Sequence, residues 1–570
     1  MISDDLHAQV TAWMTDDPDE GDRAELAALL RTACEPDDRE ETKRAEAELT
    51  DRFADRLEFG TAGLRGAVGA GPNRMNRAVV RETTAALASW LLYVDPSAAQ
   101  TGVVIGCDAR HRSDEFAYEA ATVLAAAGIG VHLLPQRQPT PLLAFAVTHL
   151  GAAAGIMITA SHNPPADNGY KLYLSDGAQI VPPADLEIEA AIRSLGPLSR
   201  VPVTATSDPL IVQHGDEIAA DYLDAVCALS PAPRGAAWLR YTYTPLHGVA
   251  GDLALRAFEQ AGFPPPDVVE AQAQPDPDFR TVAFPNPEEP GTLDLALAQA
   301  RRSGAELVLA NDPDGDRLAV AVPDDAAPGG WRMLTGDQVG ALLGAYLLGR
   351  DSGDPSRKPL VATTIVSATM LASIASAAGA GYAETLTGFK WIARAGDLRP
   401  ENRFIFGYEE ALGYTIGATV RDKDGIGAAL AVLSLAARAR SGGESLLEAY
   451  DALEIAHGVH LTEQLTVPAT EPVHVMSRLR VAAPTDLGGE PIISMSDLTG
   501  GIGDLPSADV LRYRLRGARV VIRPSGTEPK IKAYLEIVEP VIAGRLTEAR
   551  RAAKARMEPL RTAVRSQLDG

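Results

Sequence analysis

Cysteine is scarce. The 570 residues hold three, Cys34, Cys107 and Cys227. They are scattered and odd in number, which excludes a disulfide framework and any zinc-finger spacing. Long apolar runs are missing too: none reaches the roughly 18–20 residues that cross a bilayer. Residues 1–17 are acidic and lack the basic-then-apolar pattern of an export signal. A cytoplasmic chain with no membrane partner is the expectation. Positive charge is short as well, with a net charge of -24 and a pI near 4.9. Nucleic acid is therefore not an expected partner, because counterion release needs clustered Lys and Arg. An anionic substrate needs local basic loops to overcome the background field. Lysine is the rarest cation, with 8 against 44 Arg. Four of the eight fall in the loops singled out below, where a compact ammonium has a distinct use.

What remains is an ordinary globular composition, 46% hydrophobic and 22% charged. At roughly 100–200 residues per domain, the length predicts three to five domains and a core that needs no staples. Residues 1–50 read as acidic helices, an extension packed on the first domain. From about 58 to 210, short apolar runs alternate with helical patterns, which predicts a largely parallel sheet. Strands are expected at 102–106, 130–134, 154–158 and 170–174. Ser113 is placed to cap a helix over 114–127. The βα order restarts at 239 and again at 337, without a detectable sequence repeat. From about 458 the pattern alternates as antiparallel strands do, at 459–467, 511–522 and 531–538. A basic helix closes the chain. Proline-rich stretches at 264–290 and 467–485 read as loops or domain boundaries. The fold class is α/β, with three related mixed α/β domains and a C-terminal α+β domain. The expected segments are 1–50, 51–210, 211–335, 336–457 and 458–570.

Four loops carry chemistry. Thr159-Ala160-Ser161-His162-Asn163-Pro164 places a hydroxyl on a tight turn past a buried strand, where open α/β sheets keep their sites. Such a serine is a nucleophile or phosphate carrier, or a plain turn residue. Asn311-Asp312-Pro313-Asp314-Gly315-Asp316-Arg317 again follows a buried strand. Its alternate carboxylates converge on one hard cation, and Mg²⁺ suits an all-oxygen site. An EF-hand is excluded by Arg317 at the sixth position and Pro323 at the twelfth. Thr387-Gly388-Phe389-Lys390-Trp391 and then Gly407-Tyr408-Glu409-Glu410-Ala411-Leu412-Gly413-Tyr414 form the third. Its acids can accept bonds from sugar hydroxyls, and Lys390 can bind an anion or shuttle a proton. Arg523-Pro524-Ser525-Gly526-Thr527-Glu528-Pro529-Lys530 is the fourth, a phosphate cradle of cations, hydroxyls and backbone N–H groups. Together they describe a phosphoryl exchanger working on a phosphosugar.

On these loops, with Phe59-Gly60-Thr61-Ala62-Gly63-Leu64-Arg65-Gly66, Asn168-Gly169-Tyr170-Lys171 and Arg421-Asp422-Lys423-Asp424-Gly425, the chain resembles the α-D-phosphohexomutases, the phosphoglucomutase and phosphomannomutase superfamily. The likeness spans about 59–538. It is closest to the branch of bacterial phosphosugar mutases and phosphopentomutase-like members. The resemblance implies four domains around a central cleft and Ser161 as a phosphoserine. It implies one Mg²⁺ held by Asp312, Asp314, Asp316 and a phosphoserine oxygen, with Arg317 nearby. Glu409, with Glu410 and Gly388, would read the sugar. Arg421, Lys423, Arg523, Ser525, Gly526, Thr527 and Lys530 complete the substrate-binding set. Arg65, His162, Lys171 and Lys390 are the candidates for proton transfer and charge neutralisation. The implied reaction interconverts sugar 1- and 6-phosphates through a bisphosphorylated sugar, which also serves as activator, in a monomer or homodimer. Ala411 departs from glucose-type members, which carry Ser there, and keeps pentose phosphates open. A sugar-bisphosphate synthase and a metal-dependent phosphatase are the alternatives.

Overall fold

The computed structural model describes residues 2–34, 39–60, 63–469, 471–525 and 530–569. The chain divides into two compact units. One holds residues 1–232, 236–321 and 419–430, and the other 233–235, 322–418 and 431–570.

The first unit opens with α1 (Asp4–Asp16), α2 (Glu20–Cys34) and α3 (Arg39–Arg52). Ser3 caps α1, its hydroxyl accepting from Leu6 N at 3.1 Å. Val10, Leu26, Ala33, Ala45 and Leu49 are buried together with Ala70, and Trp13 and Phe53 lie beside them, so the extension is packed on the domain that follows. A six-stranded sheet follows: β1 (Leu64–Ala67), β2 (Val103–Cys107), β3 (Val131–Leu133), β4 (Ala154–Ile158), β5 (Asp167–Leu174) and β6 (Ile211–Gln213). Its order is β1-β5-β4-β2-β3-β6. The strands β4, β2, β3 and β6 run parallel, as expected, but β5 and β1 are antiparallel to their neighbours. The link from β4 to β5 is a turn, far shorter than the dozen or so residues a parallel crossover needs. Helix Thr140–His149 packs on β4 and β2. It lies so close that a Cβ at Gly155 would meet Val147 Cγ2 at 2.5 Å. The chain runs from β2 out to β3 and returns to β4 on the other side of β2. The carboxyl ends of β2 and β4 therefore flank a switch point, the usual crevice of an open α/β sheet.

The unit's second sheet contains β7 (Tyr241–Thr244), β8 (Asp267–Val268), β9 (Leu307–Asn311) and β10 (Leu318–Pro323), in the order β10-β9-β7-β8. The acid loop is the turn of an antiparallel hairpin, with Leu318 opposite Asn311. The apolar run after the loop is thus a strand that the sequence reading did not assign.

In the second unit, strands Lys358–Thr364, Gly381–Thr385, Asn402–Glu409 and Gly413–Ile416 form one sheet. The last two make a hairpin across residues 410–412. The C-terminal sheet is antiparallel and five-stranded, with Val459–Pro468 beside Lys530–Glu539. Helix Leu546–Asp569 covers it, burying Ala549, Ala553, Met557, Leu560, Val564 and Leu568 at helical spacing. Two local readings change here. The run 511–522 is a hairpin, Leu511–Leu515 against Ala518–Pro524, turning at Gly517. That glycine has φ 60° and no room for a Cβ, which would lie 2.8 Å from Val538 O. The stretch 467–485 contains helix Pro472–Val481, because a proline at the first helical position costs no hydrogen bond. The architecture is the mixed α/β class with an α+β C-terminal domain. Among the described residues no helix is long and apolar enough to cross a membrane.

Candidate active site

Ser161 sits directly beyond β4 with φ 52°, a left-handed conformation that costs a residue with a Cβ about 1–2 kcal/mol. The loop is held in it from both sides. Thr159 Oγ1 accepts from Ser161 N at 2.9 Å, and Ala160 O from Asn163 N at 3.0 Å. The buried guanidinium of Arg110, at the end of β2, donates to four carbonyls. Nη2 reaches Ser161 O at 2.7 Å and Asn163 O at 2.6 Å, and Nη1 reaches Pro164 O at 2.8 Å and Asp167 O at 3.0 Å. Arg110 holds the shape of this loop and was missed by sequence reasoning, since nothing in its spacing separates it from 43 other arginines. Ser113 is not a cap. Its hydroxyl donates to Asp108 Oδ1 at 2.6 Å and accepts from Asn168 Nδ2 at 2.9 Å, tying the two loops together. The cap position is Arg112.

The acid loop is pinned by its own backbone. Asn311 Nδ2 donates to Arg317 O at 2.7 Å, Gly315 N to Asp312 O at 2.9 Å and Arg317 N to Asp312 Oδ1 at 2.9 Å. Gly315 has φ 72°, and a Cβ there would fall 2.9 Å from Ala250 Cβ. Asp312, Asp314 and Asp316 are fully buried, with one oxygen of each inside a 4.8 Å cluster. Ser161 Oγ donates to Asp312 Oδ2 at 3.0 Å, and His162 Nδ1 lies 3.3 Å from Oγ. Lys171, on β5, reaches Asp314 Oδ2 at 2.7 Å and Asp316 Oδ2 at 3.0 Å. Thr140 Oγ1 donates to Asp314 Oδ2 at 2.6 Å. Lys423 arrives from far along the chain and lies 3.2 Å from Asp316 Oδ2. It is placed by Asp422, which accepts from Tyr173 OH at 2.7 Å and Gln179 Nε2 at 3.0 Å. Arg421 stands nearby, 3.9 Å from Asp176. Arg421 and Lys423 thus share the unit of Ser161.

Charge in this cluster is uneven. Burial, with Asp314 and Asp316 alongside, pushes Asp312 well above the usual carboxylate range. Burial also works against ionised Asp314 and Asp316, but Lys171, and Lys423 at Asp316, outweigh it and hold both below that range. His162 is driven well down, first by burial and then by Arg317 and Arg65, so its imidazole is neutral at pH 7. Arg65 donates to Asn163 Oδ1 at 3.2 Å, and Arg317 Nη1 lies 3.7 Å from Glu288. Two buried oxygens, Asp314 Oδ1 and Asp316 Oδ1, have no hydrogen-bond partner. Leaving such an atom unmatched costs about 1–3 kcal/mol. A divalent cation fits this set: hard oxygens, three acids against two ammoniums, and two lone-pair sites open. Among the described residues this is the one acid, histidine or cysteine cluster with such geometry.

In the second unit, Glu409 ends its strand and is buried. Glu410 follows it. Its Oε2 accepts from Thr364 Oγ1 at 3.2 Å and Ser367 Oγ at 3.0 Å, and burial, then Asp337, raise its pKa. Arg523 comes next to them at Tyr534. Burial and then Glu410 push the Tyr534 hydroxyl up to about 12, while the charge and hydrogen bond of Arg523 oppose the shift. Tyr534 was missed in the sequence because it reads as one apolar position of a strand. Lys390 lies in the short helix Phe389–Ala393, capped by Gly388 at φ 110°. Ser525 N donates to Lys530 O at 2.8 Å, closing the base of the fourth loop. Thr61, Ala62, Gly526 and Thr527 lie outside the described residues.

The chain matches four domain families in order. They are phosphoglucomutase/phosphomannomutase alpha/beta/alpha domains I, II and III over residues 56–197, 220–327 and 335–454, and the C-terminal domain over 470–553. It is 40% identical over 472 residues to a probable phosphomannomutase of Haemophilus influenzae, covering 81% of this chain and 93% of that one. It is 36% identical over 572 residues to a probable phosphoribomutase of Schizosaccharomyces pombe, covering 93% of both. In fold it resembles a crystallised putative phosphomannomutase from Thermus thermophilus, with TM-score 0.67, 24% identity, and 90% of this chain and 100% of that one covered. Four consecutive domain matches spanning most of the sequence, and a relative at 40% identity, lead to one statement: the chain belongs to the phosphoglucomutase/phosphomannomutase family and is a phosphomutase, an isomerase that moves phosphate within its substrate.

Proposed function

We propose that this phosphomutase interconverts the 1-phosphate and 6-phosphate of a hexose, glucose or mannose, through a phosphoserine at 161 and a bisphosphorylated sugar. One observation carries the reading: Ser161 Oγ lies 3.0 Å from Asp312, in a triad whose other two acids each keep an unmatched buried oxygen. In the charged enzyme the bond from phosphorus to Oγ breaks as phosphorus bonds to a sugar hydroxyl oxygen, and that hydroxyl's proton leaves to a neighbouring base. In the second half the other phosphate of the bisphosphate returns to Oγ, and the alkoxide it leaves takes a proton. Free sugar bisphosphate is the activator because it recharges a serine that has lost its phosphate. A divalent cation on Asp312, Asp314 and Asp316, Mg²⁺ for this all-oxygen set, supplies neutralisation of the transferring oxygens. Lys171 and Lys423 hold two of these acids ionised and in place. His162, neutral and 3.3 Å from Oγ, can take or return a proton there. Arg65, beside Asn163, and Arg317 add positive charge, and Lys390 with Gly388 lines the sugar. Glu409 reads sugar hydroxyls, and Glu410 and Arg421 complete that set. Arg523, Ser525, Gly526, Thr527 and Lys530 grip the phosphate that is not reacting.

A pentose reading has its own support. Ala411 offers no hydroxyl where glucose-type members carry Ser, and the 36% relative is named a probable phosphoribomutase. The deciding experiment follows glucose 1-phosphate, mannose 1-phosphate and ribose 1-phosphate side by side by phosphorus NMR, for the parent and Ser161→Ala. A hexose 6-phosphate signal that grows fastest in the parent and vanishes in the variant is expected. Substantial turnover by Ser161→Ala refutes the phosphoserine. Steady inorganic phosphate in place of isomer makes the chain a phosphatase, and faster ribose 5-phosphate reassigns the sugar.

A further inference from the structure

Helices α1–α3 lie before the first matched domain, which starts at residue 56, and the chemistry above leaves them without a task. A partly buried acidic corner of these helices meets the turn that supports the serine loop. Asp17 Oδ1 accepts from Asp19 N at 2.8 Å, and Asp19 Oδ1 accepts from Gly21 N at 2.8 Å and Asp22 N at 3.1 Å, opening α2. The remaining oxygen of Asp19 meets Arg112 Nη2 at 3.0 Å, and Asp22 Oδ1 meets Arg112 Nη1 at 2.7 Å. Glu115 takes Nε at 2.6 Å, so the guanidinium is bound along every edge. Arg112 itself has φ 63°, a conformation a side-chain-bearing residue keeps only where its surroundings impose it. The turn it closes carries Arg110, which grips four carbonyls of the serine loop, and His111, whose carbonyl accepts from Asn168 Nδ2 at 3.0 Å.

We infer that the N-terminal helices are a positioning element for the serine loop, with Asp19 and Asp22 holding Arg112 and, through its turn, the guanidinium of Arg110. The inference rests on Ser161 as the phosphoryl carrier for its effect on turnover, but its structural half does not. Without the two acids, the left-handed turn loses two of the three carboxylates that hold Arg112 and keeps only Glu115. Arg110 then fixes Ser161 less tightly, and a transfer that depends on alignment slows.

The test compares the full-length chain with Asp19→Asn/Asp22→Asn and with a control, Glu48→Gln. Glu48 pairs with Arg52 Nε at 2.8 Å and ties the helices down elsewhere, because Arg52 Nη1 also donates to Ala70 O at 3.0 Å. In the double variant kcat should fall about tenfold in both directions, with KM changed less than about twofold. Amide exchange of the segment 157–167 should speed up about tenfold. The control should lose comparable thermal stability and keep kcat and that exchange rate. Turnover within about twofold of the parent, unchanged exchange at 157–167, or equal losses in the control each overturn the inference. If the double variant does not fold, Arg112→Lys, which keeps the charge and loses the fork, is read in the same way. The exchange measurement separates this failure from that of the phosphoserine assignment, since it does not depend on which residue carries phosphate.

Discussion

Two acid-bearing hairpin turns, one in each unit, reach opposite ends from similar beginnings. Residues 312–317 join β9 to β10, and 410–412 join Asn402–Glu409 to Gly413–Ile416. Each turn has a left-handed residue, Gly315 at φ 72° and Leu412 at φ 61°. In the first, three carboxylates are buried together and two oxygens stay unmatched against two ammoniums. In the second, Glu410 is satisfied by two neutral hydroxyls of its own unit. Where three buried acids converge, their unmatched oxygens leave a place that a cation could fill. Matched ones mark a side chain that shapes its surroundings.

The sharpest way to break that contrast is Asp314→Asn. The amide keeps the shape and loses a charge, and Nδ2 cannot ligate a cation. Activity should fall by about 10³-fold, the scale of losing one preorganised electrostatic contact. The parent should melt at a higher temperature as MgCl₂ is added, because a ligand bound only by the native state stabilises it. Calorimetry with and without MgCl₂ checks this. A variant that still gains stability from the cation would show that the triad is not the metal site.

The second turn should answer more mildly and unequally. Glu409→Gln is expected to lower kcat/KM by about 10²-fold, as a site that reads hydroxyls loses a charged acceptor. Glu410→Gln should cost only about tenfold, because the amide oxygen still accepts from Thr364 and Ser367. Steady-state kinetics on the preferred sugar phosphate distinguishes them. If Glu410→Gln is the more damaging, the matched acid is the one that touches substrate, and the comparison is reversed.

The same distinction explains what could be read in advance. Both turns follow buried strands, and β4 lies at 154–158 as its apolar run foretells, because strand, turn and acid spacing are written locally. Lys423 on Asp316 is 107 residues away in sequence, and only the fold brings it there. Arg110 is legible in neither composition nor period, since its work is done on four carbonyls that any sequence has. The antiparallel turn back into β5 was also hidden. Its strand reads the same in either direction, and the length of the link is what decides it.

Asp424 is a third kind of acid, and the smallest expected effect tests it. One oxygen, Oδ1, takes every bond: Tyr222 OH at 2.8 Å, Ile426 N at 3.1 Å and Gly427 N at 2.8 Å. Among the described residues no cation is paired with it, and burial pushes its pKa up to about 6 against those bonds. The unfolded value is 3.8, so the native state holds its proton to higher pH. Below pH 3.8 the group is neutral in both states and has no effect. Between pH 3.8 and about 6 the unfolded state gives up this proton while the native state keeps it, so stability falls by roughly 3 kcal/mol across that window and is level above it. Asp424→Asn keeps an acceptor at Oδ1 and carries no charge. It should be more stable than the parent by up to about 3 kcal/mol at pH 8, with the gain gone near pH 4. Urea unfolding at both pH values measures the difference. A gain that is equal at the two would mean that packing, and not the buried charge, separates the variants.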